Sequence, residues 1–267
     1  MTPKVSFITG VKNRSNELKE TIQSFLDQDM PDWEALIVND HSDEPIEEVV
    51  KSFKDDRIFY FELPEGETGI CHARNLAIKN AKSDIMLTAD GDDINRPQRA
   101  RVTYEIMTEN QGDAFYCNLE YFIAEEEKRW TTTFQPFNPN LFQMFNFMTG
   151  AGTAFRRSKC LEVGGYDPEF SLSEDYDMFL RIFNAGGKFC YTEEILVNYR
   201  RNPGSVSIKN FDKMHDFIMK TRIKNNIPII DIDDAKKYAL PEIAENILSP
   251  DGRKLWQDDR FVNKEVK

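Results

Sequence analysis

The run Ile85-Met-Leu-Thr-Ala89 leads straight into Asp90-Gly91-Asp92-Asp93. An apolar run of this length bounded by turn residues reads as a buried strand. It ends in three carboxylates within four residues. Carboxylates gather only where something positive sits among them. A cluster of hard oxygen donors suits Mg²⁺ or Mn²⁺. In an open α/β sheet, ligands bind at the carboxyl ends of the strands. The motif therefore calls for a sheet that holds an acidic, cation-binding corner at one strand end.

The chain has 267 residues, room for one large α/β domain or one domain with a smaller appendage. Its 40% apolar and 12% aromatic content belongs to a globular protein. It contains no run of about 18 apolar residues of the kind that spans a membrane. Met1-Thr-Pro-Lys-Val-Ser-Phe-Ile8 enters a strand at once and reads as no signal peptide. The expectation is a cytoplasmic protein with no integral membrane segment, peripheral membrane association and oligomerisation being left open. The net charge of −12 argues against nucleic acid or an anionic membrane as main partner. An anionic small substrate stays compatible, because a metal and a few arginines reverse the local field. Cys71, Cys117, Cys160 and Cys190 lack metal-type spacing and read as reduced core thiols.

Periodicity predicts strands at Val5–Thr9, Glu34–Val38, Arg57–Leu63 and Ile85–Ala89. Between them fall helices from Ser15 (as cap) through Leu26, over Glu47–Phe53 and over Gly69–Lys82. This alternation implies a doubly wound, parallel sheet over about the first 110 residues. Then the pattern changes. Ala114–Ile123 and Trp130–Phe134 read as a hairpin, and Pro136–Phe147 as an aromatic loop. Helices are predicted at Ser158–Val163 and Glu174–Asn184, and strands near Lys188–Tyr191 and Ile195–Tyr199. Lys209–Lys224 and Asp233–Leu248 are predicted as amphipathic helices.

Five places carry chemistry. Asp40, just past the second strand, suits a base or ribose, or simply a turn. Arg74, early in the helix opened by Gly69, suits a nucleotide or an Asp partner, or solvent. In the acidic cluster, Asp92 is the preferred metal ligand, with Asp90 and Asp93 positioning it or the sugar, or the run is a turn built around Asp-Gly before a helix started by Pro97. Ser171 and Glu174 have capping-box spacing, and acids favour a first helical turn. That leaves Asp175 unexplained, and a carboxylate there can act as a general base. Arg200 and the Gly204–Ser207 loop can fold over a diphosphate, or form a surface turn.

Taken in order, Asn13-Arg14, Val38-Asn-Asp-His-Ser42, Ala73-Arg-Asn75, Asp90-Gly-Asp-Asp93, Gly164-Gly-Tyr-Asp167, Glu174-Asp175 and Tyr199-Arg200…Ser205-Val-Ser207 resemble the family 2 inverting glycosyltransferases of GT-A fold. The resemblance covers roughly residues 3–207. It implies a mixed, mainly parallel α/β sheet flanked by helices, with a C-terminal helical extension over 208–267. Within 1–207, residues 1–110 would bind the nucleotide and 111–207 the acceptor. It implies a hexosyltransferase that inverts the anomeric carbon of a nucleoside-diphosphate sugar, with UDP the favoured nucleotide. The acceptor would be a carbohydrate or lipid-linked saccharide, in polysaccharide or glycoconjugate synthesis.

By the same resemblance, Asp175 would be the catalytic base. Thr9, Gly10, Val11, Asn13, Asp40, Arg74, Asp90, Gly91, Arg200 and Ser205 would bind the donor. Asp92 and Asp90 would hold Mn²⁺ or Mg²⁺, with Asn202 as a third ligand. Glu174 and Gly150 would line the acceptor side; the aromatic faces from Trp130 to Phe147 suit sugar rings there, or simply the core. Gly10-Val11-Lys12 and Asn202 depart from the family's usual residues, which bears on base stacking, donor choice and metal binding. Those departures also leave a non-catalytic binder of nucleotide sugars or glycans as the alternative. A nucleotidyltransferase would want a better phosphate loop than Thr9-Gly-Val-Lys-Asn-Arg14.

Overall fold

In the computed structural model, which describes residues 2–124, 128–144, 146–148, 150–201 and 210–227, the run before the acidic corner is a buried strand amid a wide sheet. The first half alternates: β1 (Val5–Val11), α1 (Ser15–Leu26), β2 (Trp33–Asn39), α2 (Ile46–Ser52), β3 (Ile58–Glu62), α3 (Ile70–Asn80) and β4 (Ile85–Thr88). There follow β5 (Ile94–Asn95), α4 (Arg99–Glu109), β6 (Ala114–Ile123), β7 (Lys128–Thr132), α5 (Pro139–Met144), β8 (Ala154–Arg156) and α6 (Arg157–Glu162). α7 (Glu174–Asn184), β9 (Phe189–Arg200) and α8 (Phe211–Lys224) complete the described elements. The strands form one sheet in the order β3-β2-β1-β4-β8-β6-β9-β5, with β7 also on β6. β8, β5 and β7 run antiparallel to their neighbours and the other pairings are parallel.

Alternation of side chains along the strands builds a core on each face. Ile8, Leu36, Met86 and Phe155 point to one face, where α3, α6 and α7 cover them with Ala73, Ala77, Cys160, Met178 and Phe179. Phe7, Ala35, Leu87 and Phe115 point to the other, under Phe25 of α1 and Ala100, Val102 and Met107 of α4. All four cysteines are buried free thiols. No helix among the described residues is long and apolar enough to cross a membrane.

Several local expectations change. Ser15 is not the cap of α1 but its first residue; Arg14 precedes it, and the Ser15 amide donates to Glu44 Oε2 at 2.7 Å. The two segments at Lys188–Tyr191 and Ile195–Tyr199 are one strand, β9. Its register against β6 jumps from Cys117↔Thr192 to Asn118↔Ile195, leaving Glu193 and Glu194 as a bulge. Asn118 Nδ2 donates to the bulged Glu193 carbonyl at 2.8 Å. Pro136–Phe147 contains α5. α4, β5 and β8 carry no clear periodicity in the sequence; β5 and β8 are too short for one. Ser171 makes no capping box, since it follows a short 3₁₀ turn and Ser173 is the residue before α7. The predicted helix Asp233–Leu248 lies outside the described residues.

Candidate active site at the end of strand β4

At the end of β4, the Thr88 hydroxyl bonds the carbonyls of Gly150 and Thr153 at 2.6 and 2.9 Å, fastening the 150–153 segment to the strand. The chain then turns, with the Asp93 amide donating to the Asp90 carbonyl at 3.1 Å. A Cβ on Gly91 would lie 3.3 Å from Val11, so glycine lets this turn rest against the end of β1. Asp90 and Asp92 remain half-buried, while Asp93 is buried. Asp93 Oδ1 accepts the Arg200 amide at 2.9 Å. Its Oδ2 is buried with no hydrogen-bond partner among the described residues. Burial, with Asp90 and Asp92 beside it, pushes the Asp93 carboxyl well above the usual range.

Arg74 ties this corner to a second acidic group. Its helix, α3, packs close against β1 because residue 10 is glycine: a Cβ there would meet Ile70 Cδ1 at 2.7 Å and Ala73 Cβ at 3.1 Å. The Arg74 guanidinium is 3% exposed. Nη2 donates to Asp90 Oδ1 and Nη1 to Glu174 Oε1, each at 2.9 Å. The Tyr166 ring backs the guanidinium at 5.3 Å. Asn75, the next residue on α3, holds Tyr166 by both its amide and its carbonyl, at 2.9 and 2.7 Å. Burial alone would lower the Arg74 pKa, but Tyr166, Asp90 and Glu174 outweigh it and raise the pKa well above its ordinary value.

Glu174 and Asp175 open α7 beside that guanidinium. Burial and the neighbouring Asp175 push Glu174 up to about 7, against the pull of Arg74. Burial also raises Asp175, opposed by the Tyr176 amide and Arg74. Asp175 Oδ1 accepts that amide at 2.7 Å. Oδ2 faces Gly150: a Cβ there would lie 3.4 Å from it and 3.7 Å from Arg74 Nη2. Gly150, Arg74, Asp90, Glu174 and Asp175 thus meet in one place, although they come from four segments of the chain.

A second cluster closes the ends of β1 and β2. Asp40 is buried, and its carboxylate accepts from Thr68 Oγ1 at 2.7 Å and from the Gly69 amide at 3.0 Å. Gly69, at φ 96, is the residue before α3, so Asp40 anchors the start of the arginine-bearing helix. Lys12 Nζ is 3.5 Å from Asp40 Oδ2. Asn13, at φ 52, links this edge to the Ser42–Asp43 turn through its amide and side chain.

Three expected site residues are placed otherwise. Thr9 is 1% exposed inside β1, so its side chain has no surface to offer a donor. Val11 is likewise buried, against α1 and α2. Trp130 is buried on β7 and stacked on Tyr121 at 5.4 Å and 8°, so it has no free face for a sugar and belongs to the core. Arg200 does reach the corner, but from behind. Its Nε donates to the Asp92 carbonyl at 2.8 Å, its Nη2 to Glu20 at 2.7 Å, and Phe122 packs beneath it. Asn202 and Ser205, with the Gly204–Ser207 loop, lie outside the described residues.

The sequence reading missed Arg99. It is fully buried under the corner, donating to the Asn95 side chain and to the Thr88 carbonyl at 2.5 Å. Nothing in the spacing marks it, because a lone arginine near a helix start normally faces solvent. Asn75 and Tyr166 were part of the motifs, but only the fold shows that they back Arg74.

The model of glycosyl transferase family 2 matches residues 6–164, more than half of the chain. The chain belongs to glycosyl transferase family 2. This transferase is 29% identical over 236 residues to an uncharacterised glycosyltransferase of Methanocaldococcus jannaschii, covering 84% of this chain and 80% of the relative. It is 28% identical over 220 residues to the putative colanic acid biosynthesis glycosyl transferase WcaA of Escherichia coli, covering 79% and 77%. Among solved structures, S. aureus TarS 1–349 in complex with UDP aligns with a TM-score of 0.67 at 13% identity, covering 96% of this chain and 75% of that one. The mannosyltransferase PcManGT from Pyrobaculum calidifontis, in complex with GDP-Man and Mn²⁺, aligns at 0.62 with 15% identity, covering 94% and 71%. These likenesses establish the GT-A fold. The Glu174–Asp175 pair and everything after it lie beyond the matched family region.

Proposed function

We propose that this family 2 glycosyltransferase inverts the anomeric carbon of a nucleoside-diphosphate sugar, with UDP the favoured nucleotide, as it transfers the sugar to an acceptor hydroxyl. The observation that carries the reading is the Arg74 fork between Asp90, at the donor corner, and Glu174, beside Asp175. Asp175 Oδ2 takes the acceptor proton as the hydroxyl oxygen bonds to the anomeric carbon. The bond from that carbon to the β-phosphate oxygen breaks on the opposite face, and the nucleoside diphosphate leaves with the electron pair. Glu174, held by Arg74, orients the acceptor side together with Gly150. Asp40 and its surroundings take the nucleobase. Positioned base catalysis of this kind contributes ~10²–10⁴-fold.

The corner suits a divalent cation. Among the described residues no three His, Cys, Asp or Glu side chains converge as a ready-made cage. Mg²⁺ and Mn²⁺ at phosphate-transfer sites need only one or two carboxylates, with substrate phosphates and water completing the shell. Asp92 and the free oxygen of Asp90 would supply those carboxylates. A bound cation would stabilise charge on the departing diphosphate. TarS with UDP and the mannosyltransferase with GDP-Man and Mn²⁺ support this reading by fold likeness. The acceptor is a carbohydrate or a lipid-linked saccharide, met in the cytoplasm.

The test is nucleotide release from a panel of UDP- and GDP-sugars with Mn²⁺ or Mg²⁺. Wild type should release nucleotide from at least one donor. Asp175→Asn should abolish transfer yet keep donor affinity by calorimetry, whereas Asp92→Ala should lose the metal-dependent part of that affinity. Nucleotide-sugar binding without turnover would favour a non-catalytic binder, and normal turnover by folded Asp175→Asn would remove that residue from its role.

A further inference from the structure

The start of α7, which bears Glu174 and Asp175, is held from outside. Ser173, the residue before the helix, makes no capping bond with its side chain. Its hydroxyl is instead paired with Thr221 Oγ1 of α8 at 2.7 Å, both residues being buried. Asp177, in the first turn, is 0% exposed. Arg181 engages its Oδ2 from Nε at 2.9 Å and from Nη2 at 2.6 Å. Its Oδ1 is engaged by Asn225 Nδ2 and Lys224 Nζ, each at 3.0 Å. Lys224 also binds Asp167 at 2.7 Å and sits 4.2 Å over the Phe170 ring, both in the segment that leads into α7. Asn184, at the far end of α7, donates to the Asn225 carbonyl at 3.3 Å.

A helix start without its own cap leaves amides unsatisfied and frays, and a buried carboxylate must be compensated. Here Thr221, in the last turn of α8, pins the Ser173 hydroxyl at the helix start, and Lys224 and Asn225 supply half of the compensation for Asp177. We propose that Thr221, Lys224 and Asn225 are positioning residues, which hold the first turn of α7 so that Glu174 and Asp175 keep their places beside Arg74. The inference rests on the reading of that pair as the proton-accepting centre. It makes the C-terminal extension a working part of the transferase, although the matched family region ends at residue 164. A catalytic carboxylate loses rate steeply when it is misplaced by about 1 Å.

The test uses the full chain carrying Thr221→Val, which deletes the hydroxyl and keeps the branched shape, alone and together with Asn225→Leu. Lys220→Ala, exposed on the same helix, is the control. Amide exchange at residues 173–178 should speed up about tenfold or more in the variants, with exchange along β4 unchanged. The kcat for donor turnover should fall about tenfold, which is about 1.4 kcal/mol in the barrier, with donor KM within about twofold. The control should behave as wild type. Wild-type exchange and kcat in the folded variants would overturn the proposal. So would acceleration spread evenly over α7 and β4, which would mean general destabilisation. If the wild type releases nucleotide from no donor, the proposed function fails, and the exchange measurement still decides this inference.

Discussion

Arg74 holds two acids that would otherwise be unconnected, and its planar fork is what makes this geometry available. A lysine keeps the charge but offers one compact ammonium in place of two nitrogens fixed in a plane, so it does not reproduce the paired 2.9 Å geometry to Asp90 and Glu174. Arg74→Lys should therefore stay folded, by melting temperature, while kcat falls by about 10²-fold, within the range that positioning effects reach. At Gly150 the constraint is distance alone. Gly150→Ala would place a methyl in ordinary contact with Asp175 Oδ2, at 3.4 Å, so melting temperature should change little, while turnover should drop because the methyl takes the space in front of the proposed base. Gly152→Ala makes the contrast. Its φ of +75 and the 2.6 Å approach to Leu119 should cost stability by about 1–3 kcal/mol, read from denaturant unfolding. The acid pair also sets a pH dependence. Burial raises Asp175, and burial with Asp175 raises Glu174 to about 7. Asp175 as the proposed base must be ionised to act, so the rate should rise with pH through a limb above the ordinary carboxylate range. A limb near pH 4 in kcat would contradict this. Stability should run the opposite way. A raised folded-state pKa means the folded chain binds more protons, so the Glu174 contribution weakens as pH climbs from about 4.5 to about 7.

Among the elements, α3 and α7 carry the residues of the proposed centre, and each sits where a small residue or an outside partner lets it. α3 lies against β1 only because residue 10 has no side chain. Gly10→Ala should push α3 outward, lowering both stability and turnover, and Ile70→Val should restore much of each by removing the Cδ1 at 2.7 Å. Failure of that pair to couple in a double-mutant cycle would count against the contact. β4 needed no such reasoning. Ile85–Thr88 is apolar but for its last residue, is buried throughout, and leads straight into the Asp90-Gly-Asp-Asp93 turn. β9 was harder to read because Glu193 and Glu194 interrupt its alternation, and only pairing with β6 shows one strand with a bulge.

In the whole molecule, one sheet carries the strands of both halves, so β4 at the acidic corner is next to β8 and the 150–153 segment of the second half. The sequence by itself determined the alternating first half, the apolar strand with its acidic end, the α7 start and the family. The first three are local: a period of side chains, a run of residue types, a spacing within a few positions; the family is carried by the order of such motifs from Asn13 to Ser207. The tertiary structure alone decided who meets whom. It put Trp130 into the core against Tyr121, set Arg200 behind the corner as a strut, buried Arg99 beneath it, and laid α8 against the start of α7. Those outcomes rest on contacts between separate elements, from about ten positions apart for Trp130 with Tyr121 and Arg99 with Thr88 to 108 for Arg200 with Asp92. Side-chain periodicity fixes which face a residue shows, but the partner on that face is chosen only when the sheet and its helices have packed.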